Sequence, residues 1–120
     1  VTLKQNGDFR RLYNRGKAVT NPALVMYYMK NRAGICRIGI TTGKKIGNAV
    51  ERNRSRRVIK EAFRSVHKDV EGGYDFVFVA RSKTKYQKST YIEKVMREMM
   101  LDSGIIADNV KEENDERTSS

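Results

Sequence analysis

One cysteine and one histidine are all that 120 residues contain, so Cys36 has no partner for an internal disulfide and no Cys/His set has zinc-ligand spacing. A reducing compartment is therefore expected. Long apolar runs are missing as well: the longest, Ala23 to Met29, is far short of the roughly 20 residues that span a bilayer. No secretory leader opens the sequence, which implies no membrane partner and a cytoplasmic location; Val1 as first residue suggests that some N-terminal sequence precedes it.

Acids are scarce where a nuclease needs them. Residues 1–101 hold eight, scattered along the chain, whereas hydrolysis of a phosphodiester usually calls for clustered carboxylates holding two metals. Neither a catalytic residue nor a protein-held metal is expected. The glycines of GITTGKKIG, residues 39–47, do not fit the G-x-x-x-x-G-K-[ST] phosphate loop, which argues against an NTPase. His67 lies near Asp69, Glu71 and Asp75, but Lys68 and Gly72-Gly73 share the stretch. A helix end and turn explain that cluster better than an acid/base site.

Positive charge is what the chain has in excess. Residues 1–101 carry 23 basic side chains against 8 acidic ones (+15), and residues 102–120 carry 2 against 6 (−4). Lys44–Arg64 alone holds eight cations (Lys44, Lys45, Arg52, Arg54, Arg56, Arg57, Lys60 and Arg64) and two acids. Within it Asn48 and Glu51 have capping-box spacing, which predicts a helix from Ala49. Val58, Ile59, Ala62, Phe63 and Val66 form its apolar stripe. Arg52, Arg56 and Lys60 fall at i, i+4 and i+8, in a column away from that stripe. Like charges so spaced destabilise an isolated helix by about 0.2–0.5 kcal/mol per pair, so an external polyanion is the natural compensation. A solvated face is the plainer alternative, but solvated faces interleave both signs. The composition favours nucleic-acid or phosphate binding.

The remaining periodicities predict a short helix from Gly7 or Asp8 to Arg15 and strands at Ala23–Met29 and Ile35–Thr42, joined as a hairpin through residues 30–34. A strand at Asp75–Ala80 is apolar on both parities and therefore interior to its sheet. A last helix is capped by Thr90 with Glu93 and ends near Gly104; its methionine-rich stripe suits core packing. Phe9 and Tyr13, one turn apart, are either core anchors or a stacking platform for unpaired bases. The loop from Arg81 to Ser89, with Arg81, Lys83, Lys85 and Lys88, is either solvated or an RNA contact. The fold class is α+β, a small α/β sandwich of order αββαβα, with one domain over 1–104 and an acidic tail over 105–120 expected to be disordered.

The run Lys44-Lys45-Ile46-Gly47-Asn48-Ala49-Val50, continuing into Arg52-Asn53-Arg54-Ser55-Arg56-Arg57, closely resembles the protein subunit of bacterial ribonuclease P. Supporting features are the Asp8-Phe9 helix start, Tyr13, Gly16, Val25 and Tyr27 on one strand, and Ala80-Arg81 ending another. In that family the RNA subunit, with RNA-bound Mg2+, carries the chemistry. The small basic protein binds the catalytic RNA and assists removal of the 5′ leader from precursor tRNA, broadening the range of substrates. The resemblance implies a left-handed β-α-β crossover, against the roughly 98% right-handed rule. It also implies that Phe9, Tyr13, Val25, Tyr27, Lys45, Arg52, Asn53, Arg56 and Lys60 bind the single-stranded leader, and that Arg54, Arg57 and Arg64 bind the catalytic RNA. Position 13 is Tyr where relatives often have Phe. The alternatives are a structural or ribosomal RNA-binding protein outside any processing enzyme, and a stand-alone metal-dependent nuclease.

Overall fold

The apolar segment Tyr74–Ala80 decides how the sheet is assembled. Asp75, Phe76, Val77, Phe78 and Ala80 in this segment are all buried, so it needs cover on both faces and a strand on each side. In the computed structural model, which describes residues 6–107, it has both. The elements are α1 (Asn6–Arg15), β1 (Lys17–Asn21), β2 (Leu24–Lys30), β3 (Arg37–Thr41), α2 (Ala49–Val66), β4 (Tyr74–Ala80) and α3 (Ser89–Asp102). Short 3-10 turns lie at Lys44–Ile46, His67–Asp69 and Thr84–Tyr86. The sheet order is β1-β2-β4-β3: β2 runs antiparallel to both neighbours, and β3 is parallel to β4. Helix α2 is the connection between that parallel pair.

The α+β class expected from the sequence is the one observed, with two differences in detail. A fourth strand, Lys17–Asn21, precedes the three expected, so the order is αβββαβα. Only Val19 and Asn21 on it are even half-buried, which left no apolar alternation to read. It joins β2 through Pro22 and Ala23, where the Asn21 side chain accepts from the Ala23 N–H at 2.9 Å, an Asx-type turn. Second, β2 and β3 do not form a hairpin. The interior strand β4 lies between them, because its two apolar faces have more to lose at an edge than either of theirs.

One face of the sheet carries α2 and α3. Phe76, Phe78, Leu24, Met26, Ile59, Ile92, Met96 and Met100 are completely buried there. The Phe63 ring lies 5.6 Å from Phe76 and 5.7 Å from Phe78, so the apolar stripe of the basic helix is the one the sequence defined. The other face carries α1 alone, with Leu12 and Val77 buried and Phe9, Tyr27, Met29 and Val79 partly buried around them.

Helix α2 starts as its capping box requires: the Glu51 N–H donates to Asn48 Oδ1 at 2.9 Å, and the Asn48 N–H to Glu51 Oε1 at 3.1 Å. No such box opens α3. That helix begins one residue before Thr90, with the Lys88 carbonyl accepting from the Tyr91 and Ile92 N–H groups, so Thr90 already lies in its first turn. The domain also runs further than expected: Ile105 and Ile106 are 3% and 2% exposed, and Ile106 bridges to Val70. Burial of this apolar pair outweighs the polarity of the residues beyond it. The rest of the expected tail, 108–120, lies outside the described residues.

Candidate nucleic-acid interface

The side chains singled out by the sequence converge where the open face of the sheet meets α2. Tyr27 on β2 and Tyr13 on α1 are in edge-to-face contact, with centroids 4.8 Å apart and planes at 77°. Tyr13 remains 41% exposed, and its hydroxyl is 3.2 Å from Thr41 Oγ1 at the end of β3. At the next residue the contact passes to the basic helix. The Arg56 guanidinium donates to Thr42 Oγ1 at 3.0 Å and to the Ile40 carbonyl at 3.1 Å. Two ring faces and a fixed cation are thus joined through three consecutive residues, Ile40 to Thr42. Val25 shares the face, two residues before Tyr27 and paired in register with Val79.

Phe9 divides the two readings of its ring. It is partly buried against the cluster of Leu12 and Val77, as an anchor would be, whereas Tyr13 is exposed. Arg52 is half-buried one turn before Arg56, and Lys60, one turn after, is exposed. Lys45, on the 3-10 turn after β3, and Asn53 are exposed. None of Lys45, Arg52, Asn53 and Lys60 forms a side-chain hydrogen bond or ion pair among the described residues.

Arg54 and Arg57 open on the opposite side of α2. With Lys88, one carboxylate, Glu61, and the polar Gln87, Ser89 and Thr90, they line a cleft of about 370 Å³ at the start of α3. Arg54 is held there by a 2.8 Å hydrogen bond from its Nε to the Lys85 carbonyl. Arg64 is exposed near the other end of α2. The helix therefore presents two cationic sides, one to the aromatic face and one to α3.

Three supports of this site carry no sequence signal. Asp75, 2% exposed, accepts from Arg37 at 2.7 and 2.8 Å, from Asn31 at 2.8 Å and from Arg11 at 3.4 Å, so β3 and α1 are tied to the centre of the sheet by one carboxylate. The pairing raises the Arg37 pKa, first through the hydrogen bond to Asp75. Second, Lys85 is a strut: it donates to the Ile46 carbonyl at 2.7 Å and pairs with Glu51 at 2.8 Å, locking the turn before α2 to the loop before α3. Hydrogen bonds from Lys85 and then from the Asn48 N–H hold the Glu51 carboxyl below the usual range. Gly47, at φ 140°, is where the chain must enter this knot, and a Cβ there would run into the Glu51 carboxylate. Third, Thr84 is buried and donates to the Ala23 carbonyl while accepting from the Arg81 N–H, fastening the start of the same loop to β2. His67 is exposed and contacts only the Phe63 ring edge among aromatic groups, and Asp69 pairs with Arg97 at 2.6 Å.

The family model for ribonuclease P matches residues 1–103. A ribonuclease P protein component of Thermoanaerobacter sp. (strain X514) is 38% identical over 111 residues, covering 92% of this chain and 96% of the relative. That of Clostridioides difficile (strain 630) is 41% identical over 99 residues, covering 82% and 87%. Among solved structures, the RNase P protein of Staphylococcus aureus superposes with a TM-score of 0.77 at 30% identity, covering 88% of this chain and 97% of the other. The RNase P protein of Thermotoga maritima gives 0.66 at 29% identity, covering 85% and 93%.

Proposed function

The chain belongs to the ribonuclease P protein family, and from that premise we propose that it is the accessory, non-catalytic subunit that grips the 5′ leader of precursor tRNA beside the catalytic RNA. The observation that carries this reading is the continuity from Tyr27 and Tyr13 through Thr41 and Thr42 to Arg56. An unpaired strand laid across it meets a ring face and then a cation. Stacking contributes about 1–3 kcal/mol per base and reads no sequence, because every base has a π-face. Arg52, Arg56, Lys60 and Lys45 supply phosphate neutralisation, whose gain comes from released counterions. Such a grip suits leaders that differ from one precursor to the next.

Arg54, Arg57 and Arg64, on other sides of α2, bind the catalytic RNA in this scheme, so one helix bridges substrate and catalyst. The chemistry lies with the RNA and the Mg2+ it holds. What supports this is membership of a family whose relatives are ribonuclease P protein components. No helix among the described residues is long and apolar enough to cross a membrane, and a cytoplasmic location fits the chemistry.

The test is reconstitution at low magnesium with a bacterial ribonuclease P RNA. The expected result is leader removal stimulated by the protein and absent without the RNA. Cleavage by the protein alone would make it a nuclease; failure to stimulate the RNA would return it to the structural RNA-binding proteins.

A further inference from the structure

The corner of the sheet opposite Thr41 holds a second cationic cleft that the leader site does not use. Its volume is about 280 Å³, and Arg15, Lys17, Lys30, Tyr28, Tyr74 and Ser103 line it. Register explains the convergence. Lys17 pairs with Tyr28 and Lys30 with Tyr74, and Tyr28 and Lys30 are two residues apart, so all four side chains stand on one face. That is the face packed by α2 and α3, and both tyrosine rings lean on its core, 6.4 Å apart. Arg15 arrives from the end of α1. Gly16 makes this approach possible, since a Cβ there would sit 2.6 Å from the Leu12 carbonyl oxygen and 3.0 Å from that of Tyr28. Ser103, just past α3, closes the far wall.

No carboxylate lines the cleft, and among the described residues Arg15, Lys17 and Lys30 enter no ion pair. Neither tyrosine hydroxyl has a hydrogen-bond partner there. Arg37, Lys85 and Arg97, by contrast, are each paired with a carboxylate. Three cations without an ion pair among the described residues, with two tyrosines whose hydroxyls have no hydrogen-bond partner there, line one concave space and form a site for an anion with several oxygen acceptors. Strand β2, with Leu24 at one end and Lys30 at the other, sets this corner about 20 Å from the Thr41 end.

We propose that this cleft seats a phosphodiester group of RNA, as an anchor separate from the leader site. The proposal rests on the RNA-binding function argued above, and its test is read independently of it. Arg15, Lys17 and Lys30 are all exposed, so Lys17→Gln/Lys30→Gln in the full chain should melt as the parent does. It is titrated at several salt concentrations against a bacterial ribonuclease P RNA and against mature tRNA, which lacks a leader. The slope of log affinity against log salt should fall by about 0.7–0.9 for one of the two, equivalent to one lost phosphate contact. The RNA that responds identifies the source of the phosphate. Lys17→Arg/Lys30→Arg should keep the parent slope, and the ratio of precursor to mature tRNA affinity should be unchanged in both variants. Unchanged slopes with both RNAs overturn the proposal, leaving the cleft to an acidic protein segment, while the leader site, tested through Tyr13, stands or falls separately.

Discussion

On one face of the sheet two helices bury Phe76, Phe78, Leu24 and Met26 completely; on the other a single helix buries Leu12 and Val77 and leaves Tyr13 41% exposed. The same strands supply both faces, so the difference comes from what covers them. The doubly covered face buries its rings at the centre and leaves open only the corner where Tyr28 and Tyr74 line a cleft. The thinly covered one keeps Tyr13, Tyr27 and Val25 within reach and compensates with polar anchors, chiefly Asp75. The main core and the face proposed to hold the leader thereby lie on opposite sides of one sheet.

Substitutions can break or sharpen that contrast. Phe76→Ala, on the closed face, should have the largest effect, a loss of about 3–5 kcal/mol in denaturant-induced unfolding. A cost below about 1 kcal/mol would mean that this face is not the principal core. Next, Asp75→Asn removes the negative charge and one of the two acceptor oxygens shared by Arg37, Asn31 and Arg11, putting an NH2 donor in its place, and should cost about 2–3 kcal/mol by the same measurement. An equal midpoint for parent and variant would show that the open face does not depend on its polar hub.

Tyr13→Ala should barely move the melting temperature but weaken binding of leader-bearing precursor by about 1–3 kcal/mol in filter binding, with mature tRNA unaffected. Equal losses for both RNAs, or a collapse of stability, would place the ring on the structural side of the division. The smallest effect belongs to Glu51→Gln. A carboxyl whose pKa is depressed by folding stabilises fully above its ordinary value, near pH 4.3, and less as pH falls through the lower folded-state value. The parent should therefore lose stability more steeply than the variant on acidification below about pH 4.3. Parallel curves would show that the Lys85 strut contributes nothing through this carboxylate.

Much of this arrangement can be read from the residues. The capping box of α2, its apolar stripe and the two-faced apolarity of β4 each encode a local rule, and each element forms as that rule requires. Strand β1 escaped because an edge strand with polar side chains lacks the alternation by which strands are recognised. The partner of β2 escaped for another reason: pairing is settled by which strand most needs two neighbours, a competition between distant segments. Similarly, the cationic column of Arg52, Arg56 and Lys60 follows from helical spacing, but its link to the rings runs through Thr41 and Thr42, which no spacing rule selects. Asp75 reads as one more acid near a turn until the fold closes around it. The tail boundary moved because Ile105 and Ile106 are too few to make a pattern and still enough to be buried.

The position of β4 bears on how the molecule is made. It comes last among the strands in sequence yet occupies an interior place, and 43 residues separate Lys30 from Tyr74, its partner in register. During synthesis β1 and β2 can pair as soon as they emerge, but β3 has no neighbour until residues 74–80 leave the ribosome. Closure of the sheet is thus a late, long-range event, of the kind that folds slowly and leaves strand edges open to other chains in the meantime.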